Sequence, residues 1–247
     1  MSSGAKVIAV TSLSLEARIA SGSGVSVVCS QASQLIACLE AAVDRALGII
    51  SFGVAGGLAP DLRAGDWVIG TAVQAPHKSY PADQRWTRSL IDALPTAVQA
   101  EIVGADNAVA HAWEKRQLHA RTGAVAVDME SHLAAEVAAA HDIPFAVCRT
   151  IIDPAGRDLP PAAVVGLRND GTPDVLAIFR SVAGRPDQVP ALIRIAIDAW
   201  SARKALLRGR RWLGPGLGCP YYRESTTEEA GTNADSVNAG TLRSAGS

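Results

Sequence analysis

The stretch Ile49-Ile50-Ser51-Phe52-Gly53-Val54-Ala55-Gly56-Gly57 decides the fold. Residues 49–54 are almost continuously apolar and Ala55-Gly56-Gly57 ends the run, as in a strand buried on both faces and closed by a tight turn. Upstream, Lys6 to Thr11 and Val25 to Cys29 read as further strands. Gln31 to Leu47 has apolar residues at helical spacing (Leu35, Ile36, Leu39, Val43) and stops at Gly48. Downstream, strands are predicted over Asp66 to Ala75, Val98 to Val103, Ala124 to Val127 and Phe145 to Ile152. Helices are predicted over Arg85 to Leu94, Met129 to His141 and Pro190 to Leu207. Alternating buried strands and helices imply a single α/β domain, with a central mostly parallel or mixed sheet flanked by helices. Ligands of such sheets gather beyond the carboxyl ends of the strands. Three of those ends carry candidate chemistry: Glu16 after the first, Gly56-Gly57 after the Ile49 strand, and Asp153 after the last.

Composition narrows the class. Of 247 residues, 48% are hydrophobic and 19% charged, which suits one domain with a sizeable core. Aromatic residues are only 4% of the chain, so that core is built from Ala, Val, Ile and Leu. The formal net charge of -1 gives no electrostatic footprint for nucleic acid. Four scattered cysteines (Cys29, Cys38, Cys148, Cys219) form no CxxC pair, so neither a disulfide framework nor a metal site is expected, and a reduced cytoplasmic compartment fits. No signal peptide and no run of about 20 apolar residues is present. Residues 1–222 are expected to form the domain. Residues 223–247 read as a disordered tail, because they hold almost no apolar bulk to offset ordering entropy.

Taken singly, the motifs have ordinary readings. Gly53-Val54-Ala55-Gly56-Gly57 is neither a GxGxxG fingerprint nor a P-loop, and alone it is a turn. Its functional reading is a backbone cradle for a sugar or anion. In Val127-Asp128-Met129-Glu130-Ser131, either acid could simply cap a helix. A glutamate at a strand end can also accept hydrogen bonds from both vicinal hydroxyls of a ribose, with a methionine as apolar wall. Asp153 before Pro154 is ordinary turn chemistry unless it lines a pocket, where partial desolvation makes it a general acid. Arg149 lies on the same strand face as Asp153, and the spacing leaves open whether it reaches the acid or a loop. The five histidines (His77, His111, His119, His132, His141) have no metal spacing and read as surface or satisfied polar positions. Ser14 and Ser131 lack the GxSxG context of a serine hydrolase.

Together, FGVAGGL, AVDMES and CRTIIDPA resemble, in order and spacing, the purine nucleoside phosphorylase and methylthioadenosine/S-adenosylhomocysteine nucleosidase superfamily, over about Lys6 to Asp158. The stretches GAVAVDMESHLAAEVAAAHDIPFAVCR, DPAGRDLPPAAVVGLRNDG and LLRGRRWLGPGLG are similar to the hopanoid-associated phosphorylases, assigned to removing adenine from adenosylhopane. The resemblance implies purine N-glycosidic cleavage with Asp153 protonating N7 of the base. Glu130 would hold the ribose hydroxyls with Met129 against the sugar, and Glu16 would orient or deprotonate a water. Gly56 and Gly57 would present backbone N–H groups to the acceptor. It implies no cofactor, with phosphate as a candidate co-substrate, and a homo-oligomer. The departures are Val54 where a Ser or Thr is usual and Ile152 where a Ser usually precedes the catalytic Asp. The usual N-terminal phosphate motif is missing, and the base-stacking aromatic has no counterpart near Asp106 to Ala110. Both phosphorolysis and hydrolysis therefore stand. So do action on small soluble nucleosides and a nucleoside-binding protein without turnover.

The basic segment 203–212, ending Arg208-Gly209-Arg210-Arg211-Trp212, has two readings. One is peripheral contact with an anionic inner-membrane surface, suited to a lipid nucleoside. The other is a helix packed on the core through Leu192, Ile193, Ala196 and Trp200, with a solvated basic end.

Overall fold

The structure is a computed structural model that describes residues 5–30, 32–159 and 189–226. In chain order the elements are β1 (Lys6–Thr11), α1 (Ser14–Ala20), β2 (Val25–Cys29), α2 (Ala32–Glu40), β3 (Ala46–Gly57), β4 (Trp67–Gln74), β5 (Ser79–Pro81), α3 (Gln84–Ala93), β6 (Val98–Gly104), α4 (Ala112–Thr122), β7 (Ala126–Asp128), α5 (Ser131–Ala140), β8 (Phe145–Asp153) and α6 (Val189–Leu213). A further helical turn covers 220–226, so the helix runs past Arg223; residues 227–247, most of the expected tail, lie outside the described residues.

The strands read as unbroken apolar runs because their side chains feed two cores in alternation. Ile8, Val10, Ile49, Val147 and Ile151 face a core closed by Leu35 and Leu39 of α2 and by the alanines of α5. Val7, Ala9, Ile50, Phe52 and Cys148 face the other, closed by Ile19 of α1, Trp86 and Leu90 of α3, and Ala205 and Leu206 of α6. The expected α/β architecture with a mixed sheet is what the chain forms. The sheet is not open, however. β3 pairs in parallel with β1 and with β8, and its last two residues turn to β7, with Gly56 opposite Val127 and Gly57 opposite Ala126. β8 pairs antiparallel with β4, β4 parallel with β6, and β6 parallel with β7, so β3, β8, β4, β6 and β7 form a ring.

That closure corrects one expectation. Gly56 and Gly57 are not a loop after the strand but its last two residues. A Cβ on Gly56 would come 3.3 Å from Val127 Cγ1 of the crossing β7, and one on Gly57 3.3 Å from Ile151 Cγ2 of the neighbouring β8, so the glycines admit close approach on both sides. The helix expected over 31–47 is also shorter. α2 ends at Glu40, Val43–Arg45 is a 3-10 turn, and Gly48 lies in β3, where a Cβ would meet Pro144 O at 2.7 Å and the Trp86 ring at 2.8 Å. Helices α1 and α4 carried no apolar periodicity to announce them; α4 buries a single residue, Lys115.

Helix α6 turns a different face inward from the one expected. Its buried residues are Ala202, Ala205, Leu206, Gly209 and Leu213, and Gly209 sits where a Cβ would meet the Trp67 ring at 2.3 Å. Ile193, Ala196 and Trp200 are exposed, and Leu192 is half-buried. The basic end is not uniformly solvated either. Arg210 donates to the carbonyls of Ala20 and Gly214, tying α6 to the end of α1, while Arg203, Arg208 and Arg211 stay exposed. His132 is buried, its Nδ1 has no hydrogen-bond partner among the described residues, and its Nε2 lies 3.5 Å from Asp106, so it is not a surface position.

Candidate active site

The ends of β1, β6, β7 and β8 and the last turn of β3 surround one cavity of about 180 Å³. Ser12 and Leu13 follow β1, Val54, Ala55 and Gly56 belong to β3, and Asn107, Ala108 and Val109 follow β6. Val127 to Glu130 come from the end of β7, and Ile152 and Asp153 from the end of β8, with Leu159 beyond. The cavity thus collects Asp153, Glu130, Met129 and Gly56, four of the residues singled out in the sequence. Gly57 is not in its lining, being held in the ladder with β7. The segment 106–110, where no aromatic was found, supplies the polar Asn107 and the apolar Ala108 and Val109 to the lining instead.

Beneath the cavity lies a charge cluster that the ring of strands makes possible. Arg149, in the middle of β8, is completely buried. Its Nε lies 2.7 Å from Asp128 Oδ2, and its Nη2 lies 3.2 Å from Glu130 Oε2 and donates to Ser51 Oγ. Its Nη1 donates to Val54 O at 3.3 Å. Arg149 therefore does not reach Asp153; four residues along a twisted strand, its side chain turns to β3 and β7. Asp128 is itself fixed by the backbone N–H of Ser131 at 2.9 Å and by the Ser131 hydroxyl, so the capping role read for it holds. Its tie to Arg149 is the part that only the fold supplies.

Glu16, from α1, completes the cluster. Its Oε1 accepts from Val54 N at 2.7 Å and its Oε2 from Leu13 N at 2.9 Å and Ser12 N at 3.1 Å. It stands behind the cavity wall rather than in it, and three backbone donors occupy its carboxylate. The Ser12 hydroxyl lies 3.4 Å from Glu16 Oε2, and Ser12 lines the cavity. Gly53 makes room for this arrangement, since a Cβ there would come 2.5 Å from Glu16 Oε1 and 2.9 Å from Arg149 Nη1.

One arginine facing Asp128, Glu130 and Glu16 leaves the buried cluster short of positive charge, and the carboxyls respond. Burial raises Glu16 above the usual carboxylate range against the pull of Arg149. For Glu130, burial is again the largest cause, opposed by Arg149 and reinforced by Asp128 and Glu16, and its pKa is pushed up to about 7. The linkage has a definite sign. Between about 4.5 and about 7 the folded state holds a proton that the unfolded state has lost, so Glu130 makes the protein less stable as pH rises across that window. Urea unfolding at pH 5 and pH 8 is expected to show that fall, and Glu130→Gln to flatten it. An identical pH dependence in the variant would refute the assignment.

Asp153 lines the cavity from the end of β8. Its side chain is 13% exposed and ion-paired with Lys115, which is fully buried. Burial raises its proton affinity, and Lys115 is the main opposing influence. Lys115 is a site residue that the sequence did not announce, because a lysine in a polar helix reads as surface. Among the described residues no group of three or more His, Cys, Asp or Glu could hold a metal ion.

The fold and site define an α/β protein with a closed mixed sheet whose strand ends bring Asp128, Glu130 and Asp153 into one cavity. A model of the Phosphorylase superfamily matches residues 17–180, and the chain belongs to that superfamily. It is an enzyme of the nucleoside phosphorylase or nucleosidase kind. Among solved structures, a putative 5′-methylthioadenosine/S-adenosylhomocysteine nucleosidase from Borrelia burgdorferi bound to adenine is 13% identical, covering 85% of this chain and 98% of that one at a TM-score of 0.60. The S-adenosylhomocysteine nucleosidase of Streptococcus pyogenes with 5-methylthiotubericidin is 15% identical over 84% and 97%, at 0.56. The futalosine hydrolase of Helicobacter pylori is 17% identical over 62% and 89%, at 0.52. These are likenesses of fold. No curated protein matches the sequence.

Proposed function

We propose that this enzyme breaks the N-glycosidic bond of a purine nucleoside, releasing adenine from adenosylhopane in hopanoid biosynthesis. The observation that carries the reading is that two carboxyls line one cavity, Asp153 and Glu130, from the ends of the strands on either side of β3, with Met129 beside the latter. Asp153 acts as general acid at N7 of the base, and Glu130 accepts from the ribose hydroxyls. The carboxyls of Asp128 and Glu130 in the lining stabilise the positive charge that develops on the ribose as the bond breaks.

Water is the acceptor this reading favours. None of the described residues lining the cavity is a lysine or arginine, and the two cations next to it, Arg149 and Lys115, are both committed to carboxylates. Val54 in place of a hydroxyl residue is consistent with that. Glu16 acts through Ser12, which lines the cavity. No cofactor enters the reaction.

The assay is free adenine released from an adenosine bearing a large 5′-alkyl or hopane group, with and without phosphate. Release in phosphate-free buffer supports hydrolysis, whereas release only with phosphate, giving a ribose-1-phosphate, makes the enzyme a phosphorylase. Release from small nucleosides alone removes the lipid substrate, and binding without release removes the enzymatic reading of this site.

For a lipid nucleoside, the exposed face of α6 supports contact with the inner membrane from the cytoplasmic side. Ile193, Ile197 and Trp200 are each more than half exposed, Lys204 lies over the Trp200 ring, and Arg203, Arg208 and Arg211 flank them. Among the described residues no helix is long and apolar enough to cross a membrane. Replacing Arg203, Arg208 and Arg211 with Gln is expected to weaken binding to anionic vesicles at least about tenfold, read by co-sedimentation. Unchanged binding would reduce this face to a solvated helix. By the family resemblance the active form is a homo-oligomer, which analytical ultracentrifugation tests.

A further inference from the structure

Lys115 is the one buried residue of α4, an otherwise polar helix. It has no place in the cavity lining, yet its ammonium ends entirely on the chain around Asp153. Its Nζ is ion-paired with Asp153 Oδ2 and donates to Pro154 O at 3.3 Å and to Arg157 O at 3.1 Å. Three donors meet three acceptors, all within five residues of the end of β8. A lysine taken wholly out of water carries a desolvation penalty of several kcal/mol unless it is paired. If the site served only to fasten α4 to β8, an apolar side chain would do so without that penalty. A cation is needed there only if it acts on a charge, and the charge it meets is Asp153.

We propose that Lys115 is a positioning residue for Asp153, fixing its carboxyl at the wall of the cavity and stabilising the carboxylate that remains once its proton has left. The inference rests on the reading of Asp153 as the acid. In the step itself the C1′–N9 bond breaks, its electron pair goes to the purine, and N7 takes the proton from Asp153. The water that adds to C1′ loses a proton to solvent, from which the Asp153 carboxyl is reloaded. The new carboxylate forms against an ammonium already in place, so no reorganisation is required when charge appears.

The other charged groups that face Asp153 come from the same loop and from two helices. Arg157 lowers its proton affinity and Asp158 raises it, both less than Lys115 acts on it. Arg157 is in turn paired with Asp198 of α6, and Asp158 lies 3.9 Å from His111 at the start of α4. Arg157, Asp158 and His111 are about half exposed or more, so solvent screens them, and the more covered Asp198 is paired with Arg157. Lys115 is not screened.

The sign of the test follows. Asp153 must carry a proton to act, so activity falls as pH rises through its titration. Without the neighbouring cation that titration moves up, and so does the alkaline limb of kcat/KM. Lys115→Met is expected to move it by about one pH unit or more and to lower kcat, whereas Lys115→Arg keeps the limb near its wild-type position. A role in packing alone would lower stability in both variants and leave the limb where it was. Should Lys115→Met not fold, Lys115→Gln removes the charge while keeping a donor for the loop carbonyls.

A readout independent of turnover separates this inference from the proposed reaction. In ligand-free protein labelled with 13C at the aspartate carboxyls, the Asp153 resonance is identified by its loss in Asp153→Asn. Its midpoint is expected to rise in Lys115→Met or Lys115→Gln relative to wild type, whether or not adenine is ever released. An unmoved midpoint in a folded charge-removing variant overturns the proposal.

Discussion

Asp153→Asn is expected to lower adenine release by about 10²- to 10⁴-fold while leaving nucleoside binding within a few-fold. The amide has nearly the shape of the carboxyl, and its oxygen can still accept from Lys115 Nζ, so the cavity wall and the loop behind it stay in place. What it lacks is a proton to give. Adenine leaves badly as an anion, and a donor at N7 contributes most of its effect in the transition state, so the loss falls on kcat rather than on binding. Two measurements check this: the initial rate of adenine release, and the dissociation constant of a non-cleavable nucleoside analogue. Wild-type turnover in the variant across the pH range would sink the assignment of the acid. Equal loss of binding and turnover would make Asp153 a binding residue.

Arg149→Met carries the largest expected effect on stability, a loss of about 3–5 kcal/mol at pH 8. Arg149 is the cation common to Asp128, Glu130 and Glu16, and it is wholly buried. Methionine fills much of the volume, so packing is not the main loss; three carboxyls without a counterion are. Those groups can escape by taking up protons, which places the effect in a particular window. Without Arg149 the proton affinities of Glu130 and Glu16 rise further, so the destabilisation is small near pH 5 and grows as pH increases. Urea unfolding of wild type and variant at the two pH values measures it. A loss below about 1 kcal/mol at pH 8, or one that does not depend on pH, would show that the cluster is not held by its arginine.

Much of this architecture was legible in the chain. The runs at residues 6–11 and 145–152 are strands because a largely apolar segment can be buried on both faces, and a sheet between two layers offers that. Asp153, Glu130, Met129 and Gly56 could be singled out because strand ends in such sheets are where side chains and backbone become free to meet a ligand. Other features left no local signal. Helix α4 has no apolar stripe, and Lys115 looks like any surface lysine until α4 is laid against the end of β8. Gly56 and Gly57 read as a turn, because a glycine pair gives the same local pattern whether the chain bends or another strand crosses it closely. In α6, Ile193 and Trp200 read as core, since a helical apolar stripe does not say which of two faces is turned inward.

The sequence by itself determined the class of fold, the order of its longer strands, and which strand ends carry acids. Those follow from short-range patterns of burial and turn chemistry, which each segment carries with it. Tertiary structure alone decided that the sheet closes into a ring and that Arg149 turns to Asp128, Glu130 and Glu16 rather than to Asp153. It also decided that Lys115 stands behind the acid. These are interactions between residues up to 133 positions apart, as for Glu16 and Arg149. Charge acts through space and depends on burial, so what a carboxyl does here was settled only when the strands had brought its neighbours to it.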